Sequence, residues 1–196
     1  MSHNSAPKLI DTILSRQSVG PRHLGPPGPT MDDLLQIATA ASAAPDHGRL
    51  GPLRLIALPM KTRPALAEAF ARAALEKDPK ATPEAIQQAQ DRALAGNTLV
   101  AVIAQIIDNH PVIPAHEQWI SVGAGLQNAL LAATALGFGT KMVSGARVRS
   151  EALRNAFGLG RAEHLVGFIA IGTAAADPKP ANRRDAVAVL SIWPGA

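Results

Sequence analysis

The stretch "EQWISVGAGLQNALLAATAL", residues 117–136, constrains the fold more than any other part of the chain. It is apolar on nearly every side, lacks proline and is loaded with Gly, Ala and Ser. Its spacing predicts one long helix, and a helix with no polar face has to be central. Small side chains along it let another helix approach closely. Gly137 supplies a natural stop.

Shorter elements are expected around that helix. A first helix opens at Ser5, with Pro7 in its first turn, and ends near Arg16. "VGPRHLGPPGP" (19–29) reads as loop. Thr30 and Asp33 form a capping box, and Leu34, Leu35, Ile37, Ala38 and Ala41 give the second helix its stripe before Pro45 closes it. "LRLIALP" (53–59) reads as a short strand. Helices opened by Thr62 and Pro64 and by Thr82 and Pro83 carry most of the charge, and predict a solvated helical hairpin inserted at about 62–95 in one domain spanning 1–196. "TLVAVIAQII" (98–107) and "HLVGFIAIGT" (164–173) are bounded apolar runs expected as buried strands. "FGTKMVSGA" is extended, "SEALRNAFGL" is a brief helix capped by Ser150, and "VAVLSIW" (187–193) is expected as a last strand. This order lacks a regular βαβα alternation. It predicts an α+β fold with a mixed or antiparallel sheet packed by helices.

With 196 residues, 47% hydrophobic and 17% charged, the chain suits one globular domain. The absence of cysteine excludes disulfides, thiolate metal sites and cysteine nucleophiles. The net charge of +4 comes from scattered side chains, the densest run being Lys179 to Arg184, with no interleaved aromatics for base stacking. Nucleic acid is therefore not an expected partner. "MSHNSAPKLIDTIL" lacks a basic segment followed by an apolar one, and no apolar run reaches the ~18 residues of a membrane span. The expectation is a cytoplasmic protein without a membrane partner.

Familiar catalytic motifs fail. "GAGLQN" (123–128) lies inside the long helix rather than after a strand. "GFGTK" (137–141) lacks the glycine and hydroxyl of a phosphate loop. His110, His116 and Glu117 have no metal-ligand spacing, so no metal is expected. "VSGAR" is half of a nucleophile elbow. Three segments remain. "SRQS" (15–18) puts a cation and hydroxyls at a helix end, suited to phosphate. "APDHG" (44–48) holds an Asp-His pair out of the core behind Pro45. "KMVSGA" (141–146) exposes backbone N–H groups, which suit a flat, acceptor-rich ring.

Taken in order, "ILSRQS", "AASAAPDHGRLGPLRLIAL", "SVGAGLQNALLAATALGFGTKMVSGA" and "HLVGFIAIGTAAADPKPANRRD" resemble the nitroreductase family of flavoproteins, in particular its compact bacterial NAD(P)H nitroreductases. The resemblance covers nearly the whole chain. It implies a homodimer with a long central interface helix and two FMN molecules in crevices between subunits. By position, Arg16, Gln17 and Ser18 match the segment that meets the flavin phosphate and ring from one subunit. His47 matches a histidine contributed to the same cofactor, and from the Pro-Asp-His order the adjacent Asp46 is expected to fix its tautomer. Met142, Val143, Ser144 and Gly145 match the loop whose main-chain donors lie beside the flavin ring. Ala132, Ala133, Thr134, Ala135, Leu136 and Gly137 match a stretch associated with NAD(P), and Arg184 a basic phosphate contact.

The implied reaction is ping-pong: hydride passes from NAD(P)H to flavin N5 and then to a nitroaromatic, quinone or similar acceptor, with no side chain as obligatory acid or base. Different flavin chemistry on the same fold, and a non-catalytic FMN-binding dimer, stay open. The chain departs from the family pattern at Gln17, where a second arginine is usual. It departs again at Met142-Val143-Ser144, where the subgroup commonly shows Trp-Arg-Ser.

Overall fold

The computed structural model describes residues 6–176 and 185–195. Helix α1 spans Ala6–Ser15; Ser5, its expected start, lies outside the described residues. The following segment is more ordered than its glycines and prolines predict. It contains a single tight turn, Pro21–His23, and a two-residue strand β1, Leu24–Gly25. Then come α2 (Met31–Ser42), β2 (Leu53–Leu58), α3 (Arg63–Lys77), α4 (Pro83–Leu94), β3 (Thr98–Gln105), α5 (Ala115–Ala135), β4 (Gly139–Val143), α6 (Glu151–Ala156) and β5 (Glu163–Ala174). The α2 capping box forms as expected: Asp33 N–H donates to Thr30 Oγ1 at 3.2 Å, and Thr30 N–H donates to Asp33 Oδ2 at 2.8 Å. Helices and an antiparallel sheet make this an α+β fold.

The sheet runs β1-β5-β3-β2, with β4 also paired to β5, and every ladder is antiparallel. Strand β3 is central and alternates between two cores. Leu99, Ala101 and Ile103 face a cluster with Leu66, Phe70, Leu153 and Phe168, under α3 and α6. Val100 and Val102 face a second cluster with Ile37, Ala129, Leu130 and Ala133, under α2 and α5. Burial on both faces explains why "TLVAVIAQII" reads as an unbroken apolar run: period-two alternation vanishes when neither face meets water.

Helix α5 is approached closely by α2, as its small residues predict. A methyl built on Gly125 would meet Leu53 Cδ2 at 2.5 Å and the Ala41 carbonyl at 3.0 Å, and Asn128 Nδ2 donates to the Ala40 carbonyl at 3.1 Å. The buried Gln118 ties the preceding connection to the helix: its amide donates to the carbonyls of Ile107 and Ile113 and accepts from Ile107 N–H. One side of α5 is left open, however, where Ile120 is 66% exposed beside Trp119 and Gly123.

Two expectations are overturned. Helix α3 is no solvated face, because Arg63, Leu66, Ala67, Ala69, Phe70, Ala71 and Ala73 are buried. The burial runs through small alanines, which carry too little hydrophobic contrast to stand out as a stripe. Residues 187–193 form no strand: Ala186–Ala188 make a single turn, the rest is irregular, and Val187, Val189, Leu190, Ile192 and Trp193 are exposed. The alternation is real, but a strand needs a free ladder edge, and no described strand pairs with this segment.

Candidate functional site

The predicted segments 16–18 and 142–145 are tied together through β4. Ser18 forms a parallel bridge with Thr140, and Val19 N–H donates to the Thr140 carbonyl at 2.9 Å. The chain leaving α1 is thus laid beside β4; Met142 and Val143 close that strand, paired with β5, and only Ser144 and Gly145 lie in the loop beyond it. Arg16 and Gln17 are half-buried and Ser18 is exposed. Thr140 is wholly buried, and its Oγ1 has no hydrogen-bond partner.

The 142–145 segment is aimed by a defect in β5. Val102 pairs with Gly167 but Ile103 pairs with Leu165, which leaves Val166 as the extra residue of a β-bulge. The bulge turns the Val166 carbonyl toward Ser144, whose Oγ donates to it at 2.7 Å. Gly167 has φ +155°, and a Cβ there would meet the Val143 carbonyl at 2.5 Å and Met142 Cε at 2.6 Å. Just beyond Ser144, Gly145 adopts φ +125° with open space around it. The N–H groups of Gly145 and Ala146 have no acceptor among the described residues. Sequence reading missed this bulge, although an isolated glycine inside the strand pattern "HLVGFIAIGT" is its usual signal.

His47 is placed elsewhere. It opens the single turn His47–Arg49 and its Nδ1 lies 2.7 Å from Glu117 Oε2, in the first turn of α5. Ser18 and Thr140 lie beyond the other end of that helix, whose 21 residues span roughly 30 Å. The partner of the His47 ring within the chain is Glu117, at the opposite end of α5 from Thr140. The expected role of Asp46 is corrected here. Its Oδ2 accepts from Gly51 N–H at 2.7 Å and closes the 46–51 turn, while Glu117 is the carboxylate that orients the imidazole. Nothing in the local sequence could reveal a partner 70 residues away.

Residues 132–137 form the end of α5. Ala133 is buried, Ala132, Thr134 and Leu136 are half-buried, Ala135 and Gly137 are exposed, and the Thr134 hydroxyl donates to the Leu130 carbonyl. The helix stops at Gly137, φ +87°, where Phe138 N–H donates to the Ala133 carbonyl at 2.9 Å. Arg184 lies outside the described residues. His110 is a turn residue, its Nδ1 accepting from Val112 and Ile113 N–H.

Residues 13–173 match the model of the Nitroreductase family. The chain belongs to the nitroreductase family. A relative from Haemophilus influenzae named "Putative NAD(P)H nitroreductase" is 32% identical over 152 residues, 78% of this chain and 82% of the relative. The fold agrees with that of a nitroreductase-like family protein from Bacillus cereus, at a TM-score of 0.83 and 22% identity over 95% of this chain and 96% of that one. A Desulfovibrio desulfuricans structure described as a "putative nitroreductase in complex with fmn" superposes at a TM-score of 0.71 with 19% identity, covering 96% of this chain and 98% of that one.

The donors in this nitroreductase-family chain suit the flavin nucleotide the family uses. A guanidinium and a hydroxyl at 16–18 can donate to phosphate oxygens. The unpartnered N–H groups of Gly145 and Ala146 can donate to ring acceptors, and the orphaned Thr140 hydroxyl leaves further polar capacity between them.

Proposed function

We propose that the protein is an FMN-dependent NAD(P)H oxidoreductase that reduces a nitroaromatic, quinone or similar acceptor by a ping-pong mechanism, as a homodimer with a site at each subunit junction. The observation that carries this reading is the Ser18–Thr140 bridge. It sets a cation-and-hydroxyl segment beside a loop of free backbone donors, the pair of functions an FMN phosphate and ring would need.

When bound, the flavin supplies two-electron chemistry between nicotinamide and acceptor. The chain's own part is to hold and to orient. Arg16 and Ser18 hold the phosphate, with Gln17 beside them as a neutral donor and acceptor. The 142–145 segment offers main-chain N–H groups to the ring, fixed in direction by the Val166–Gly167 bulge. Met142 and Val143 give this segment an apolar body. His47 serves the site of the second copy, its ring held by Glu117. The open side of α5, with Trp119, Ile120 and Gly123, supports that helix as the interface, and residues 132–137 are proposed for NAD(P). Arg184 remains a proposed phosphate contact.

The test is anaerobic titration of FMN-loaded protein with NADH and NADPH. The flavin absorbance is expected to bleach with at least one of them and to return on adding a quinone. A flavin that neither nucleotide reduces would refute the reading.

A further inference from the structure

Two cavities meet at a pair of arginines beside the 142–145 segment. The inner, of about 310 Å³, reaches Arg22, Val143 and Phe168; the outer, of about 590 Å³, lies along α3 and α4. Phe70, Arg92 and Arg147 line both. The inner cavity alone matches a small aromatic ligand, since such pockets run from roughly 300 Å³ upward.

Its floor is stiff and apolar. Phe70 packs on Phe168 at 5.6 Å between ring centroids, and the Arg147 guanidinium sits 5.0 Å over the Phe70 ring. Burial, and then the charge on Arg92, both loosen the hold of Arg147 on its proton. Two like charges thus converge on the cavity wall, Arg147 half-buried and Arg92 exposed. Neither arginine forms an ion pair with a carboxylate among the described residues, where the close acid–base contacts are His47–Glu117 and Arg54–Glu163. The carboxylates of the outer wall accept hydrogen bonds from backbone, Glu76 from Ala152 N–H at 2.7 Å and Asp78 from Lys80 N–H at 3.0 Å, not from the two arginines. Neighbouring like charges repel, and an anion docked between them would relieve that repulsion.

Resting on the oxidoreductase reading above, we propose that the electron acceptor is an aromatic carboxylate, its anionic group docked between Arg92 and Arg147 and its ring lying against Phe70 and Val143. Guanidinium–carboxylate hydrogen bonds are strong and directional, so the arginines would select for charge while the apolar floor takes any flat ring.

The test uses FMN-saturated protein with 4-nitrobenzoate and its neutral analogue 4-nitrobenzamide as acceptors, and benzoate as a probe that cannot be reduced. The wild type is expected to favour the carboxylate in kcat/KM by about tenfold or more. Arg147→Gln and Arg92→Gln should each remove most of that preference through KM, leave the flavin content intact, and weaken benzoate binding in calorimetry by about tenfold. Equal use of the two acceptors, no benzoate binding, or loss of flavin from the variants would each overturn the proposal; the last would make the arginines cofactor ligands. Benzoate calorimetry reads the pocket without turnover. Benzoate bound through Arg147 in a protein that no nicotinamide reduces would sink the oxidoreductase reading and leave the anion pocket standing.

Discussion

Gly167→Ala bears most directly on how the fold shapes the site. The new methyl would lie 2.5 Å from the Val143 carbonyl, 2.6 Å from Met142 Cε and 3.1 Å from Ser144 Cβ. Met142 can swing aside, but the Val143 carbonyl belongs to the β4–β5 ladder, so backbone must move. Strain at a φ of +155° contributes about 1–3 kcal/mol, and overpacking a further ~1–3 kcal/mol. The sum, about 2–6 kcal/mol, is a large share of a typical domain's ~5–15 kcal/mol. For a chain of this size that lowers Tm by about 4–24 °C. The displaced segment is the one proposed to face the flavin, so FMN affinity should fall by more than the stability change alone explains. Ser144→Ala is the control: it removes only the exposed hydrogen bond to the Val166 carbonyl, worth about 1 kcal/mol. The assay is thermal unfolding of flavin-free protein together with FMN titration by flavin fluorescence. A Gly167→Ala protein within about 2 °C of wild type and with unchanged FMN affinity would refute the bulge's role.

His47→Ala should weaken FMN by about tenfold, the worth of one good hydrogen bond, while leaving the urea midpoint of flavin-free protein within error; unchanged affinity would remove His47 from the site. Gly125→Ala should lose about 1 kcal/mol in urea unfolding, because contact with the Ala41 carbonyl and Leu53 outweighs the gain in helix propensity; an increase would mean α2 and α5 are not in close contact. Hydrogen bonding from Gly160 N–H, then from Arg54, holds the Glu163 carboxyl below its ordinary range. That stabilisation is present above about pH 4.3 and fades as pH falls through the lower folded value. Glu163→Gln should therefore cost up to about 1 kcal/mol at neutral pH, Arg54 being half-exposed, and flatten the acid limb of the stability curve. An unchanged acid limb would contradict it.

Much of the architecture was legible because local chemistry agreed with tertiary context. β3 and β5 are β-branched apolar runs long enough to span a sheet, Thr30 and Asp33 cap α2, and the small residues of α5 do mark a close approach. What could not be read depends on contacts far away in sequence. The burial of α3 runs through alanines, the pairing of His47 with Glu117 spans 70 residues, and the Arg92–Arg147 cavity joins α4 to the turn after β4. The 187–193 segment was misread because alternation reports a preference for pairing, not the presence of a partner. In the site, the phosphate-type and ring-facing segments were visible as residue types. Their junction at Thr140 and the bulge that aims the loop were not.

In the proposed dimer each flavin site draws Arg16 and Ser18 from one copy and His47 from another. Mixing an Arg16→Ala/Ser18→Ala protein with a His47→Ala protein, under conditions that exchange subunits, tests it most directly. Random exchange should regenerate tight FMN binding at about one quarter of the sites, since half the dimers become hybrids with one intact site each. Flavin binding that stays at the level of the separate variants after proven exchange would contradict the claim.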